Sequence, residues 1–473
     1  MTIELTWMPA WKIREFIGAG ELSPIEVTEH FLARIAQLDS TLNAFSHVDY
    51  EGAREQAKLA EKALSEGQPL GPLHGIPIAV FDSVKTKGLP SKLWDNPSIE
   101  YDSIPVERLR NAGAVLVGVT ESYFFDADKR PRNPWNLAME PGNSSRGSAI
   151  AASAALVPIA IGADGAGSTR LPAAFSGVVG VHPSRGLIPH ADYELRSLMM
   201  TASVGPMARD VRDTAIALQV MAGPDGRDLH CMQSDPPDYL AEIDKGVGGL
   251  KIAWTDDFGF ASEFAVEETQ RVLDVAREAA WGLRTVGATV EPTDEVWENP
   301  LASLMHMFAA FASVANHSPT MVARQIENAR RIDEADGIPP QPSPGIADLV
   351  AGRTQVITPE ADKEALESRA RNWERFRTLF GKYDLLMSAT TPMVSRPVEE
   401  WGLDGRSFIW TTYSSHTAMF NLLGFPAVSV PCGLVDGLPV GLQIVGWPGS
   451  EDLVFRAAEA IQSANPVGRP PLS

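Results

Sequence analysis

Two serine-rich segments hold the residues best suited to covalent chemistry. The first, EPGNSSRGS, contains Ser144 and Ser145, and the second, GADGAGSTR, contains Ser168. Glycines let the backbone N–H groups of such loops turn toward a ligand. A serine among those donors can attack a carbonyl carbon while the donors stabilise the oxyanion. In the second segment the donors are the N–H groups of Gly165, Ala166, Gly167 and Ser168.

Taken singly, these loops match no common catalytic or phosphate-binding motif. A Gly-x-Ser-x-Gly elbow is absent around Ser168. The second segment also lacks the Gly-Lys-Ser/Thr ending of a P-loop and the glycine spacing of a dinucleotide fingerprint. His74 and His182 lie beside predicted strands, and we interpret both as structural histidines.

The elements around these loops alternate between strands and helices. Short apolar runs bounded by Gly, Pro or Asp predict buried strands at IPIAVF, AVLVGVT, VPIAIGA, GVVGVHP, KIAWT, DLLMSA, AVSVP and GLQIVG. Helical patterns lie between them, and a capping box from Ser23 to Glu26 predicts the start of an amphipathic helix. The alternation predicts an α/β fold with a large mixed β-sheet core covered by helices on both faces.

We expect one domain over residues 1–473. Its predicted parts are an N-terminal helical part (1–65), a catalytic core with the serine loops (66–299), a variable helical insertion (300–400) and a C-terminal core part (401–473).

Composition narrows the class of protein. A net charge of −20, from 60 acidic and 40 basic residues, disfavours nucleic-acid binding. Cys231 and Cys432 are far apart, which predicts neither a disulfide framework nor a metal cluster. The most apolar run, Ala149 to Ala163, is broken by Pro158 and is too short to span a membrane. We therefore expect a cytoplasmic protein without membrane contact, and a homodimer is left open.

Together, these segments resemble the amidase signature family over nearly the whole chain. That family usually reads Gly-Gly-Ser-Ser-Gly-Gly-Ser, followed by Gly-Thr-Asp-x-Gly-Gly-Ser-x-Arg-x-Pro-Ala. This chain reads PGNSSRGS and then IGADGAGSTRLPAA, and the spacing of the two family serines is preserved, 168 − 144 = 24. Further matches are RNPWN, GPMARDVRD, FPAVSVPCG and DGLPVGLQIVG.

The resemblance implies a role for each matched residue. Ser168 would be the nucleophile that forms an acyl-enzyme, and Ser144, held on a cis peptide bond, would shuttle a proton between Ser168 and a neutral lysine. Asp164, Arg170 and Ser145 would support the site. Gly165, Ala166, Gly167 and Ser168 would line the oxyanion hole. The family uses no cofactor, and the expected partner is a small-molecule acyl substrate.

The chain departs from the family at the lysine. The family reads Gly-Ile-Pro-x-x-Val-Lys-Asp, whereas GIPIAVFD places Phe81 at that position, and a phenyl ring cannot accept a proton. Asn143 and Arg146 replace glycines beside Ser144, and we interpret them as candidates for binding a polar or anionic end of the substrate. The groups left open as a substitute base are Lys85, Lys87, His74, His190, Tyr193 and the substrate itself.

These features predict a divergent serine hydrolase that cleaves an amide, ester or carbamate through Ser168, acting on non-peptide C–N bonds. Loss of a general base typically costs roughly 10²–10⁴-fold, so activated acyl compounds are the expected substrates. Two alternatives stay open: a catalytically disabled protein of the same fold, and the amide-transfer subunit of a tRNA-dependent amidotransferase. Side chains that favour an apolar acyl group are Trp94, Phe124, Phe125, Met305, Met307 and Phe308.

Overall fold

The computed structural model describes residues 4–92, 96–121, 130–190, 201–304, 306, 358–397 and 415–472. The strands are β1 (Phe45–Val48), β2 (Pro77–Phe81), β3 (Val115–Thr120), β4 (Ile159–Asp164), β5 (Val179–His182), β6 (Ser203–Ala208), β7 (Lys251–Trp254), β8 (Thr289–Pro292), β9 (Leu385–Ala389), β10 (Ala427–Val435) and β11 (Leu438–Gly446). The helices are α1 (Ala10–Gly18), α2 (Pro24–Leu42), α3 (Tyr50–Ser65), α4 (Ile104–Asn111), α5 (Arg146–Ser153), α6 (Arg170–Ser176), α7 (Val211–Met221), α8 (Tyr239–Ile243), α9 (Thr269–Gly282), α10 (Pro359–Phe380), α11 (Ala418–Leu423) and α12 (Glu451–Ala464). Two short 3₁₀ helices are Ala261–Phe264 and Leu283–Val286.

All of these strands join one mixed sheet. Its order is β1-β3-β2-β4-β6-β5-β10-β11-β9-β7-β8. The pairs β3–β2, β2–β4, β9–β7 and β7–β8 are parallel, and the others are antiparallel. The predicted large mixed sheet is confirmed.

Helices pack on both faces of the sheet, as the alternation of side chains along the strands requires. In β2, Ile78 and Val80 contribute to the largest apolar cluster, whereas Ala79 contributes to a second. Helices α7, α9 and α12 cover the first cluster, and α2, α3 and α5 contribute side chains to the second. The predicted α/β class with two helical layers is therefore confirmed.

The eight apolar runs all fall on strands, and the structure adds β1, β6 and β8. Strand β9 lies within the predicted insertion 300–400 but pairs with β11 and β7 in the main sheet. That range therefore contributes a core strand as well as α10. Much of the rest of the predicted insertion, including 307–357, lies outside the described residues.

Several local features expected from the sequence concern the start of α2, the cysteines, membrane-spanning helices and metal sites. The capping box at α2 is present, because Ser23 Oγ accepts from the N–H of Ile25 and Glu26, and the Glu26 carboxylate accepts from Ser23 N–H. Cys231 and Cys432 are both free and buried. Within the described ranges no helix is long and apolar enough to cross a membrane. The same ranges contain no cluster of three or more His, Cys, Asp or Glu side chains that could hold a metal ion.

Candidate active site

The serine loops lie at the carboxyl edge of the central parallel strands. Strands β2 and β4 run parallel, with Val80 paired to Ile161, so both end at the same edge of the sheet. Strand β2 ends there at Phe81, and β4 ends at Asp164. The loop that contains Ser168 leaves β4 at this edge and leads into α6.

The two serine loops meet at Gly162 of β4. A Cβ atom added to Gly162 would lie 2.9 Å from Ser145 Oγ and 2.9 Å from Thr169 Cγ2. Ser145 is also fixed to β4, because its hydroxyl donates to the carbonyl of the next strand residue and accepts that residue's N–H, both at 3.0 Å. Since Ser145 follows Ser144 and Thr169 follows Ser168, the fold brings both predicted catalytic serines to one place. The predicted support role of Ser145 has a geometric basis in these bonds.

The carboxylate of Asp164 organises the loop around Ser168. Its Oδ1 accepts the N–H of Gly167 at 2.6 Å, and its Oδ2 accepts the Thr169 N–H at 3.2 Å and hydroxyl at 2.7 Å. Arg170 adds a bidentate contact, with Nε 2.9 Å from Oδ2 and Nη2 3.1 Å from Oδ1. One carboxylate thereby fixes the backbone on both sides of Ser168.

This ion pair is fully buried, at 0% exposure for both partners. Burial by itself would raise the pKa of Asp164, but the positive charge and hydrogen bonds of Arg170, with contributions from His182 and Asn421, hold that pKa well below its usual range. Asp164 therefore stays ionised, and breaking the pair would leave an uncompensated buried charge.

Two amide side chains that the sequence reasoning missed complete the network. Asn421 of α11 donates to Asp164 Oδ1 at 2.8 Å and to the Asp164 carbonyl at 2.9 Å. Gln443 of β11 accepts from Arg170 Nη1 at 2.8 Å. Asn421 interrupts the apolar run AMFNLLGF, and Gln443 interrupts the apolar run GLQIVG. A polar residue in such a run is buried and needs a partner, and this signal could have identified both residues.

Three N–H groups around Ser168 are available to an oxyanion. Those of Gly165, Ala166 and Ser168 make no hydrogen bond within the part of the chain that the structure describes. Gly167 was predicted as a fourth donor, and that prediction is wrong for this structure, because its N–H donates to Asp164. Because the Asp164 carboxylate accepts the other N–H groups of this loop, these three donors remain available.

Gly167 is nevertheless required by the shape of the loop. Its φ is +124°, a region that favours glycine, and an added Cβ would overlap Thr417 Oγ1. The Thr417 hydroxyl donates to the Ala166 carbonyl at 2.7 Å and so fixes the next peptide. The Ala166 side chain, where the family more often has glycine, packs in a small apolar cluster with Leu301 and Leu304.

Ser144 lies in a tight turn before α5. Its N–H donates to Asn143 Oδ1 at 2.8 Å, and its carbonyl accepts the Arg146 N–H at 2.8 Å. Its φ is +57°, and no peptide bond among the described residues is cis, so the cis peptide implied by the resemblance is not found. The turn is made instead by a left-handed residue supported by the Asn143 side chain. In the described structure, neither the Ser144 nor the Ser168 hydroxyl makes a hydrogen bond within the protein.

Arg146 is buried and Asn143 is half-buried, and both contact other groups of the protein. Arg146 is 1% exposed, and its Nη1 lies 3.0 Å from Glu140 Oε1. Burial raises the pKa of Glu140 to about 7 against the opposing charge of Arg146. Asn143 Oδ1 accepts from the Ser144 backbone and, at 3.4 Å, from Arg146 Nη2. These contacts make the pair a support for the Ser144 turn.

Phe81 is 2% exposed and belongs to the largest apolar cluster of the core. Beside it in the parallel register lies Thr120, the last residue of β3. The next residue, Glu121, forms an ion pair with Lys92, with Nζ 2.8 Å from Oε2. A Cβ on Gly147 would lie 2.6 Å from the Glu121 nitrogen, so Glu121 packs against the first turn of α5. The structure thus brings to this edge two ionisable groups that the sequence reasoning did not consider.

Other predicted substitute bases have different partners. Lys85 Nζ donates to Tyr101 Oη at 2.6 Å, and His74 Nε2 lies 3.0 Å from the Ala60 carbonyl of α3. Lys87 is exposed, and the backbone N–H of His190 donates to an aspartate. The predicted base and pocket residues that lie outside the described residues are Tyr193, Trp94, Phe124, Phe125, Met305, Met307 and Phe308.

Comparison with known proteins identifies the family of this chain. The family model Amidase matches residues 26–455. The chain is 32% identical to the glutamyl-tRNA(Gln) amidotransferase A subunit of Roseiflexus sp. strain RS-1, over 95% of this chain and 94% of the relative.

Solved structures of the same family superpose over nearly the whole chain. A bacterial aryl acylamidase of the amidase signature family has a TM-score of 0.81 and 27% identity, over 97% of this chain and 96% of the other. A 6-aminohexanoate cyclic dimer hydrolase solved with its substrate has a TM-score of 0.79 and 28% identity, over 99% of both chains. By sequence, fold and the arrangement of its serine loops, this chain belongs to the amidase signature family.

Proposed function

We propose that this protein is a serine hydrolase that cleaves an amide, ester or carbamate through an acyl-enzyme on Ser168. The observation that carries the proposal is a group of three N–H donors, of Gly165, Ala166 and Ser168, that have no acceptor among the described residues. They lie on a loop fixed by the buried Asp164–Arg170 pair. Donors that are held in place before the reaction stabilise a developing oxyanion without reorganising. A protein that only bound ligands would have no evident need for that arrangement.

The proposed reaction has two steps. Ser168 Oγ bonds to the carbonyl carbon, the bond from that carbon to the leaving nitrogen or oxygen breaks, and the hydroxyl proton passes to the leaving group. Water then attacks the acyl-enzyme, releases the acid and returns a proton to Ser168. Ser144, in the adjacent turn, would relay the proton in both steps.

The proton acceptor differs from the family pattern, because the phenyl ring of Phe81 occupies the lysine position. Glu121 and Lys92 are the ionisable pair that the structure brings to this edge of the sheet. We propose that this pair, or a group of the substrate, takes the proton from Ser144. Weak base assistance favours substrates with good leaving groups, such as aryl esters, anilides and carbamates.

The test is hydrolysis of a panel of those three substrate classes. The protein is compared with Ser168→Ala and with Ser262→Ala, an exposed serine that serves as the matched control. We expect Ser168→Ala to lose at least about 100-fold in kcat/KM and Ser262→Ala to lose nothing. Equal turnover by Ser168→Ala and the unaltered protein would overturn the proposal. Activity that appears only in Phe81→Lys would indicate the disabled alternative.

A second candidate is favoured by the Roseiflexus relative, an amidotransferase component matched over 95% of this chain. That function would require a partner protein, and it would also require the release of ammonia from an amide donor. Phe81 and the net charge of −20 argue against it. The measurement is ammonia release from glutamine, alone and with a bacterial extract. Ammonia release that depends on Ser168, without hydrolysis of the aryl panel, would select this candidate.

A further inference from the structure

A cavity lies away from the serine loops, at the C-terminal end of α11, and residues of α10 line it. Its volume is about 580 Å³. The residues that determine its chemistry are Arg185, Leu366, Arg369, Trp373, Leu423 and Gly424. Asn421, which holds Asp164, lies in the same helix of six residues. The cavity is therefore separate from the proposed active site but is connected to it through α11.

Within the described residues, two arginines face this cavity without a carboxylate partner. The Arg369 side chain makes no hydrogen bond and no ion pair in that part of the chain, although it is only half-exposed. Other arginines of α10 are paired: Arg371 contacts Glu298, and Arg377 contacts Glu374. The charge of Arg369 is thus uncompensated, whereas carboxylates neutralise Arg371 and Arg377 on the same helix.

Two hydrogen bonds hold the Arg185 guanidinium in place, and its other N–H groups can still donate to a ligand. Its Nη2 donates to the carbonyls of Asn421 and Leu422 at 3.0 Å each, at the C-terminus of α11. Burial, together with the charge of Arg369, lowers the pKa of Arg185 to about 10, so it remains protonated near neutral pH. Gly424 makes room for it, because an added Cβ would lie 2.9 Å from Arg185 Cβ and 3.0 Å from Cζ. Arg185 and Arg369 therefore place two like charges on the wall of one cavity.

The rest of the cavity wall is apolar and partly uncovered. Trp373 is 37% exposed and Leu366 is 64% exposed, and both lie on the same face of α10 as Arg369. The ring of Trp373 is kept in position by Trp447, with centroids 5.2 Å apart. The two guanidinium groups can bind an anionic group, and the aromatic ring beside them can contact the apolar part of the same ligand.

We propose that this cavity binds a small organic anion. Its carboxylate or phosphate would lie between Arg185 and Arg369, and its apolar part would contact Trp373 and Leu366. An anionic group relieves the repulsion between the two guanidinium groups, and bidentate contacts give it a defined orientation. The proposal is independent of whether Ser168 is catalytic.

The test is calorimetric titration with phenyl phosphate, benzoate, inorganic phosphate and benzyl alcohol. We expect phenyl phosphate or benzoate to bind, inorganic phosphate to bind more weakly, and neutral benzyl alcohol not to bind. Comparing the first two probes identifies which anionic group is preferred. Arg369→Gln should weaken binding by at least about 10-fold, as expected for losing one charge-assisted contact. Arg377→Gln, on an exposed part of the same helix, is the control and should bind as the unaltered protein does.

The outcomes separate clearly because Arg369 has no partner among the described residues whose loss would unfold the protein. A melting temperature measured without probe should be unchanged in Arg369→Gln. Unaltered affinity in that variant would place the anion elsewhere and overturn the proposal. The absence of binding by every anionic probe up to about 10 mM would also overturn it.

Discussion

At the scale of single residues, the glycines of the nucleophile loop give the sharpest test of the proposed oxyanion site. Gly167 has φ +124° and no room for a Cβ beside Thr417. Gly165 has its nearest neighbour 3.7 Å from an added Cβ, at Ala202, which is ordinary contact. The two positions flank Ala166, and only Gly167 combines a positive φ with a lack of space for a side chain, so Gly165 is the comparison position.

We expect Gly167→Ala to lower kcat by about 100-fold, because the strained loop moves its remaining N–H donors away from the carbonyl oxygen. Gly165→Ala keeps its N–H and should retain most of the activity. The measurement is kcat and KM on an activated aryl ester for both variants. Equal losses in the two variants would show that loop shape at Gly167 does not control the reaction.

Phe81 gives a second prediction at this scale. A lysine placed at a position that is 2% exposed must lose its hydration, so its folded-state pKa falls below the unfolded value of about 10.4. The resulting destabilisation is fully present below the folded pKa and disappears as the pH rises to about 10.4, at up to about 1.4 kcal/mol per unit of pKa shift.

The measurement is the free energy of urea unfolding for Phe81→Lys and for the neutral control Phe81→Met, from pH 7 to pH 10. The difference between the two variants should shrink as the pH rises. A constant difference would mean that the new amine is solvated, and that position 81 is not the closed site that the structure describes.

Some site residues could be predicted from sequence and others could not, for a physical reason. Ser144, Ser168 and Asp164 lie in short sequence motifs, and their roles were predicted from the resemblance to the amidase signature family. Glu121 and Lys92 approach the site only through strand register and a loop return, and single-sequence patterns carry no information about such contacts. The role of the Gly167 N–H was also misjudged, because the identity of its acceptor depends on how the loop folds.

At the scale of elements, α11 connects the nucleophile loop to the C-terminal half of the sheet. Asn421 donates to the Asp164 carboxylate and to the carbonyls of Asp164 and Thr201, and its own Oδ1 accepts from Arg170 Nη2. All of these groups are buried. One amide side chain therefore satisfies polar groups from three separate segments.

We expect Asn421→Ala to lower the free energy of unfolding by about 2–4 kcal/mol, because several buried polar groups lose a partner. Activity should fall with it, since Asp164 would lose part of its support. Asn465→Ala is the control, because Asn465 makes one side-chain hydrogen bond at the end of α12. Denaturant unfolding measures both variants, and a loss below about 0.5 kcal/mol in Asn421→Ala would contradict the proposed role of α11.

The elements themselves were predictable where their residues are strongly apolar and bounded by clear breakers. Strand β6 was missed because it contains Gly205 and Pro206, which indicate a turn in sequence. In the structure it pairs with β4 on one side and β5 on the other. The sheet around it supplies the partners that override this local signal. Strands β1 and β8 were missed because their residues, FSHV and TVEP, include polar side chains or proline and form no apolar run.

At the scale of the whole molecule, two buried histidines connect stability to pH. His182 ends β5, is 1% exposed, and has no hydrogen-bond partner for either ring nitrogen among the described residues. Burial lowers its pKa to about 3, although the charge of Asp164 acts in the opposite direction. Burial likewise lowers the pKa of His416, which precedes Thr417, to about 4. Both histidines are therefore neutral in the folded protein at neutral pH and lie beside the nucleophile loop.

The sign of the pH effect follows from these pKa values. In the unfolded chain a histidine binds a proton below about pH 6.5, whereas folded His182 excludes it down to about 3. Stability is therefore complete above about pH 6.5 and falls as the pH is lowered toward 3, by up to about 1.4 kcal/mol per pH unit for each histidine.

We expect His182→Gln to make stability less dependent on pH between 6.5 and 4, because the substituted side chain does not titrate. The test compares the slope of unfolding free energy against pH, so a uniform loss of stability in the variant does not affect the conclusion. His230→Gln, at an exposed position, is the control and should keep the slope of the unaltered protein. An unchanged slope in His182→Gln would show that acid sensitivity in this range arises elsewhere, and His416, whose pKa burial lowers to about 4, would then be the group to examine.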